Sequence, residues 1–217
     1  MGKGRCLVSK KRGIEVTKDY SEALLHMRFS EAAVYTIERY HLNETVDEVM
    51  DEWMNLAKEM YLNEVTLKEG VYTFIHSLKE KGYPLAILTS CHQELFEPCL
   101  IKSGIFDCFD VIVESNRVNL SKAQPEIYKL TLNKLRLDAS ECVFFDDVYS
   151  SLKIAHDLGI HIVAMNDPLS YDPKVQTLTS HIIKDFTNIL SQLNKHAHLS
   201  SHHQCQVFSS PISPKHK

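Results

Sequence analysis

The sequence predicts an α/β protein with a doubly wound parallel sheet, preceded by a unit made of helices. Three observations carry this expectation. From about residue 67 onward, apolar strand-forming runs alternate with helical patterns; glycines stand where those helices should stop; and polar groups follow directly on the strands. The 217 residues are 44% hydrophobic and 24% charged, which suffices for one large domain or two small ones.

Residues 1–18 carry no periodicity and read as an irregular start, locally basic through Lys3, Arg5, Lys10, Lys11 and Arg12. Residues 19–66 read as a helical unit. Asp19 with Glu22, and Thr45 with Glu48, have the spacing of capping boxes. The second pair opens an apolar stripe of Val46, Val49, Met50, Trp53, Met54, Ala57, Met60 and Tyr61, a pattern that packs helices and does not mark a cofactor box.

Residues 67–190 read as the α/β core. A helix bearing Val71, Phe74, Ile75 and Leu78 stops at Gly82, and Pro84 to Leu88 follows as a strand. A second helix stops near Gly104 before the strand Val111 to Val113, and a third spans about Glu126 to Leu135. The strand Cys142 to Phe145, a helix closing at Gly159 and the strand Ile160 to Met165 complete the alternation. Residues 191–217 are rich in His, Ser and Pro and read as a disordered tail; the spacing of His196, His198, His202, His203, Cys205 and His216 fits no standard zinc pattern.

A net charge of −4 gives no case for nucleic acid as a partner. The six cysteines are scattered, and no apolar signal segment or membrane-length run precedes them, so the reading is a cytoplasmic protein with reduced thiols and no membrane attachment. Oligomeric state is not legible.

The most informative stretch is Cys142-Val143-Phe144-Phe145-Asp146-Asp147, a buried strand running into two adjacent carboxylates, with Ser150 able to cap the helix that follows. Ligands of open α/β sheets bind beyond the carboxyl ends of the strands, so this pair faces a site. Neighbouring carboxylates repel unless a cation joins them, and such oxygen ligands suit Mg²⁺; a solvated turn is the plain alternative. The strand 84–88 runs into Thr89-Ser90, whose hydroxyl and backbone N–H groups could hold a phosphate oxygen. Lys122 lies in the loop after the third helix's preceding strand, with Pro125 fixing the entry to that helix. A hydroxyl, an ammonium and an acidic pair beyond successive strands make a phosphate-and-magnesium constellation.

This combination resembles the haloacid dehalogenase superfamily, in its branch of small phosphatases and β-phosphoglucomutase-like proteins with a helical cap on a Rossmann-like core. The resemblance covers about residues 13–190 and is strongest in 85–165, through Leu-Ala-Ile-Leu-Thr-Ser, Lys-Ala-Gln-Pro-Glu-Ile-Tyr and Val-Phe-Phe-Asp-Asp. It implies that Thr89, helped by Ser90, bonds the transferring phosphoryl group and that Lys122 neutralises charge on phosphate and nucleophile, with Ala123 where a Pro is usual. It implies that Asp147 binds Mg²⁺ directly, with Asp146 beside it, and that residues 19–66 form the cap over the substrate. The implied reaction is Mg²⁺-dependent hydrolysis of a small phosphate monoester through an aspartyl-phosphate, or transfer by a sugar-phosphate mutase.

One departure is large. The family's first motif is a strand ending in Asp-x-Asp ahead of the cap, and this sequence has no Asp before Asp19 and no Asp-x-Asp anywhere. Only Cys6-Leu7-Val8 is apolar there, followed by Lys10-Lys11-Arg12. In the family that strand lies between those ending at Thr89 and Phe145, so the reading is that the first core strand is missing, with unpaired edges in the sheet centre. The expectations are then a truncated, inactive hydrolase, or a non-catalytic protein that binds phosphate or a partner and receives the missing strand from another chain. A phospho-acceptor receiver domain fits poorly, because its acidic pair comes first in the chain.

Overall fold

The computed structural model describes residues 17–24, 27, 29–167, 172–187, 189, 205–208 and 212–214. The irregular start expected for 1–18, except Thr17 and Lys18, and the histidines of the tail lie outside them. The chain divides into two compact units, 1–64 and 65–217.

The first unit holds α1 (Lys18–Leu24), α2 (Phe29–Tyr40) and α3 (Val46–Glu64). The capping box at Thr45 forms as expected: its backbone N–H donates to Glu48 at 2.8 Å and its hydroxyl accepts from the Glu48 N–H at 3.3 Å. Val49, Trp53 and Leu56 of α3 pack with Tyr20, Leu24, Ala32 and Ala33 in a core of their own. Of the stripe read from the sequence, Val49 and Trp53 are therefore the buried members, and Leu56 joins them.

Asp19 lies inside α1 and not at its cap, and it closes an aromatic clamp. Arg39 of α2 stands 5.8 to 5.9 Å from the ring centres of Tyr20, Tyr35 and Tyr40, and donates to Asp19 at 2.6 Å and to the Tyr35 hydroxyl at 2.7 Å. Hydrogen bonds from Thr17 and Arg39 hold the Asp19 carboxyl down at about 2, against an ordinary 3.8. Because the folded state binds the proton more weakly than the unfolded chain, this contribution to stability is present above 3.8 and is lost as pH falls toward 2. Trp53 is the single tryptophan and lies in this core, so its fluorescence reports this unit. Asp19→Asn is expected to flatten the acid dependence of the Trp53 unfolding transition below pH 3.8, leaving the part carried by Glu48, whose carboxyl is also held low by Thr45. An unchanged slope would show that the clamp contributes nothing.

The second unit contains β1 (Val65–Leu67), α4 (Val71–Glu80), β2 (Leu85–Thr89), α5 (Gln93–Lys102), β3 (Val111–Glu114), α6 (Pro125–Leu135), β4 (Cys142–Asp146), α7 (Tyr149–Asp157), β5 (His161–Met165), β6 (Ile182–Ile183), β7 (Cys205–Phe208) and β8 (Ile212–Pro214). The expected helix stops at Gly82, Gly104 and Gly159 are present as left-handed residues, with φ of +77°, +69° and +83°. Every residue of β2 and β4 is buried, as their continuous apolar runs require of a sheet covered on both faces. On one face Leu85, Ile87, Val143 and Phe145 pack with Phe74 of α4 and Phe96 of α5. On the other, Ala86, Leu88 and Phe144 pack with Ile127 and Tyr128 of α6 and Leu152 of α7. Each fully buried Phe or Leu contributes about 2 kcal/mol, and together they make the sheet the stable frame of the unit.

The six-stranded sheet has the order β3-β2-β7-β4-β5-β6, with all of its pairs parallel. This confirms the α/β class and corrects the expectation of unpaired edges in the sheet centre, while the N-terminal strand expected to be missing lies outside the described residues. The position between β2 and β4 is filled by β7, near the end of the sequence. Leu85, Ala86 and Ile87 pair with Gln206, Val207 and Phe208, and Cys142 to Phe145 pair with Cys205 to Phe208. β8 pairs antiparallel with β1, matching Val65 to Pro214 and Leu67 to Ile212. Residues 205–208 and 212–214, inside the stretch expected to be a disordered tail, are thus strands. The physical reason is the sheet itself: two buried strand edges cannot be left unpaired, and the ladder they offer outweighs the weak propensity of a short segment among serines and prolines. Among the described residues no helix is long and apolar enough to cross a membrane.

Candidate active site

β2 and β4 end side by side around β7, and their carboxyl ends open on a cleft of about 420 Å³. It is lined by all five residues singled out in the sequence, Thr89, Ser90, Lys122, Asp146 and Asp147. The strand-end rule is what brings them together: each follows a strand or the loop beyond it, so a parallel sheet collects them at one edge.

Asp146 is the last residue of β4 and is 1% exposed. One of its oxygens, Oδ1, accepts the backbone N–H groups of Asp147 at 2.7 Å and Val148 at 2.9 Å; the other, Oδ2, accepts from Lys122 Nζ at 2.6 Å. Asp146, and not Ser150, therefore holds the start of α7, whose N-terminal cap is Val148. Burial pushes the Asp146 carboxyl above the ordinary carboxylate range, against the downward pull of Lys122 and the Val148 N–H. Asp147, half-buried, follows it at the mouth of the cleft.

Lys122 is fixed from two sides. Its ammonium lies on Asp146 and 5.9 Å from the centre of the Phe144 ring, and its carbonyl accepts the Tyr128 hydroxyl at 3.0 Å. Burial pushes the Tyr128 hydroxyl up to about 12, so it remains a proton donor to the Lys122 loop at any ordinary pH; Ser151 shares in this network. The sequence reading did not single out Tyr128 as a positioning residue. The signal available was an aromatic hydroxyl six residues after Lys122, on the buried face of a helix entered through Pro125.

Thr89 ends β2 and is 6% exposed; its Oγ1 accepts the Cys91 N–H at 3.0 Å and shapes the turn, while Ser90 beside it is exposed. A larger cleft of about 690 Å³ runs along α5 beside Glu114 and Arg117 and contains none of the five. The smaller cleft is the candidate site because the hydroxyl, ammonium and carboxylates converge only there among the two.

The charges in the cleft are one ammonium against two carboxylates, so a phosphate dianion meets a net negative wall unless a cation accompanies it. Among the described residues no group of three His, Cys, Asp or Glu side chains forms a ready metal cage. Mg²⁺ is nevertheless suited to this donor set, since it is commonly held by one or two carboxylates together with phosphate and water oxygens.

A family model for haloacid dehalogenase-like hydrolases matches residues 5–165. The chain is 38% identical over 98 residues to acyl-CoA dehydrogenase family member 10 of Mus musculus, covering 43% of this chain and 9% of that protein. It is 30% identical over 140 residues to a phosphoglycolate phosphatase of Pectobacterium atrosepticum, covering 64% of this chain and 58% of that protein. The chain thus spans less than two thirds of both relatives. Among solved structures, CbbY from Rhodobacter sphaeroides in complex with phosphate superimposes with a TM-score of 0.68 at 18% identity, covering 89% of this chain and 91% of that one. At that identity the likeness concerns the fold.

Proposed function

Because the chain belongs to the haloacid dehalogenase-like hydrolase family, we propose that its cleft binds the phosphate group of a small phosphorylated metabolite together with Mg²⁺. The observation that carries this reading is the convergence of Thr89, Lys122, Asp146 and Asp147 on one cleft beyond β2 and β4. Thr89 and Ser90 would hold phosphate oxygens, Lys122 would neutralise their charge, and Asp147 would hold the metal with Asp146 beside it. The metal, when bound, offsets the negative charge of the cleft and polarises the phosphorus centre. The helices of 19–66 would serve as the cap that excludes water. Among the described residues, the thiols of Cys108 and Cys142 form no disulfide and suit a reducing compartment, which favours the cytoplasm.

The family reaction is phosphatase-type hydrolysis of a phosphate monoester, and the chain carries the phosphate half of the machinery without an Asp-x-Asp pair. We therefore read the 217-residue chain as a binder that does not turn over, because without a carboxylate nucleophile no aspartyl-phosphate can form. Titration of inorganic phosphate followed by ³¹P NMR tests this. Saturable binding is expected only with Mg²⁺ present, weakened about tenfold by Thr89→Val, with no release of product from a generic monoester. Metal-independent binding, or robust turnover abolished by Asp147→Asn, would overturn the reading.

A further inference from the structure

β2 and β4 carry the two walls of the cleft, Thr89 and Asp146, yet they touch each other in the sheet only through β7. Both are buried at all five positions and both already pair outward, with β3 and with β5. What remains between them is a two-sided ladder of backbone N–H and C=O groups one strand wide, whose desolvation without partners is costly. Its occupant enters last. The other strands of this sheet have all appeared by Ile183, and 21 residues separate that point from Cys205. This satisfies the dozen or more residues that a parallel crossover needs. The occupant is also anchored twice, by β7 in the sheet and by β8 on β1.

We infer that the gap between β2 and β4 is a strand-binding site for an extended, mostly apolar peptide in parallel register, and that Cys205–Phe208 occupies it, with Ile212–Pro214 held on β1, as a separable ligand carried on the same chain. The two units of backbone pairing then act as a clamp. β7 joins the halves of the sheet, and β8 fastens the segment to β1, the strand that follows α3. The specificity of such a site lies in the ladder: three residues matched on the β2 side and four on the β4 side fix the register, as in other cases of strand addition.

The test uses the full chain with a protease site introduced between residues 195 and 199. The chain is cleaved, unfolded and refolded with an excess of a fluorescein-labelled peptide of residues 199–217. The labelled peptide is expected to bind saturably by anisotropy. The same peptide with Val207→Pro, which lacks a ladder N–H, is expected to bind at least tenfold more weakly. Amide exchange in β2 and β4 is expected to be at least a hundredfold faster in the cleaved chain freed of peptide, and to slow again when the peptide is added. If the freed chain does not fold at all, recovery of folding by the native peptide and not by the Val207→Pro peptide supports the inference equally. Equal binding of both peptides, no binding of either, or unchanged protection of β2 and β4 after removal of the segment would overturn the inference. None of these readouts depends on phosphate or metal, so they stand apart from the binding reading of the cleft.

Discussion

Ser209→Asp combined with Pro211→Asp, which writes Asp-Ser-Asp directly after β7, is expected to raise Mg²⁺-dependent phosphatase activity above that of the unaltered chain. The register is the reason. Phe208, the last residue of β7, stands opposite Ile87 and Phe145, two residues before Thr89 and one before Asp146. The next residues on those two neighbours are Leu88 and Asp146, the latter lining the cleft, and the first new carboxylate is written at the next position in the sequence. A positioned covalent nucleophile with its own acid and base accounts for several powers of ten in rate, so a gain of roughly a thousandfold over the parent is expected even with imperfect placement. Hydrolysis of p-nitrophenyl phosphate with and without Mg²⁺ measures it. Asp147→Asn added to the graft should remove the gain, and the second substitution alone should give none. A graft that folds, binds phosphate and still does not turn over would mean that β7 fills the sheet without being able to stand in for a catalytic strand.

The ease with which the rest of the site can be read from the sequence has a local cause. Thr89, Lys122 and Asp146 each sit at or just beyond an element whose own residues declare it: Leu85 to Leu88 and Cys142 to Phe145 are apolar runs of strand formers, and Pro125 marks the entry of α6. Strand ends in a parallel sheet share one edge, so correct strands suffice to bring these side chains together. β7 has no such local mark. Cys-Gln-Val-Phe among histidines, serines and prolines is composed like a tail, and it becomes a strand through two partners that lie 60 or more residues earlier. The need for a strand between β2 and β4 is legible in the sequence, and β7 as its occupant is not, because pairing over such distances leaves no periodicity in the segment itself. Asp19 shows the same limit on a smaller scale: its spacing to Glu22 suggests a cap, while the partner that decides its role is Arg39, on another helix.

Lys122→Met is expected to be the most destabilising single change in the cleft, and its cost should grow with pH. Among the described residues Lys122 Nζ is the cation that pairs with the buried Asp146, whose side chain has no exposed surface while that of Lys122 is 17% exposed. Removing one partner of such a pair leaves a charge without compensation and costs about 3 kcal/mol. The sign follows from Asp146, whose carboxyl already lies above the ordinary range because of burial and is pulled down chiefly by Lys122. Without the lysine it rises further. A carboxyl that is harder to ionise in the folded than in the unfolded state leaves stability intact in acid, where both states are protonated, and removes it as pH rises through the folded value. Urea unfolding of the variant should therefore show a midpoint close to the parent near pH 4 and a deficit that widens toward pH 8. Lys122→Met with Asp146→Asn should recover most of the stability, since the buried charge is gone, while phosphate binding stays lost because the cation is gone too. A deficit independent of pH would instead assign the cost to packing of the lysine stem against Phe144.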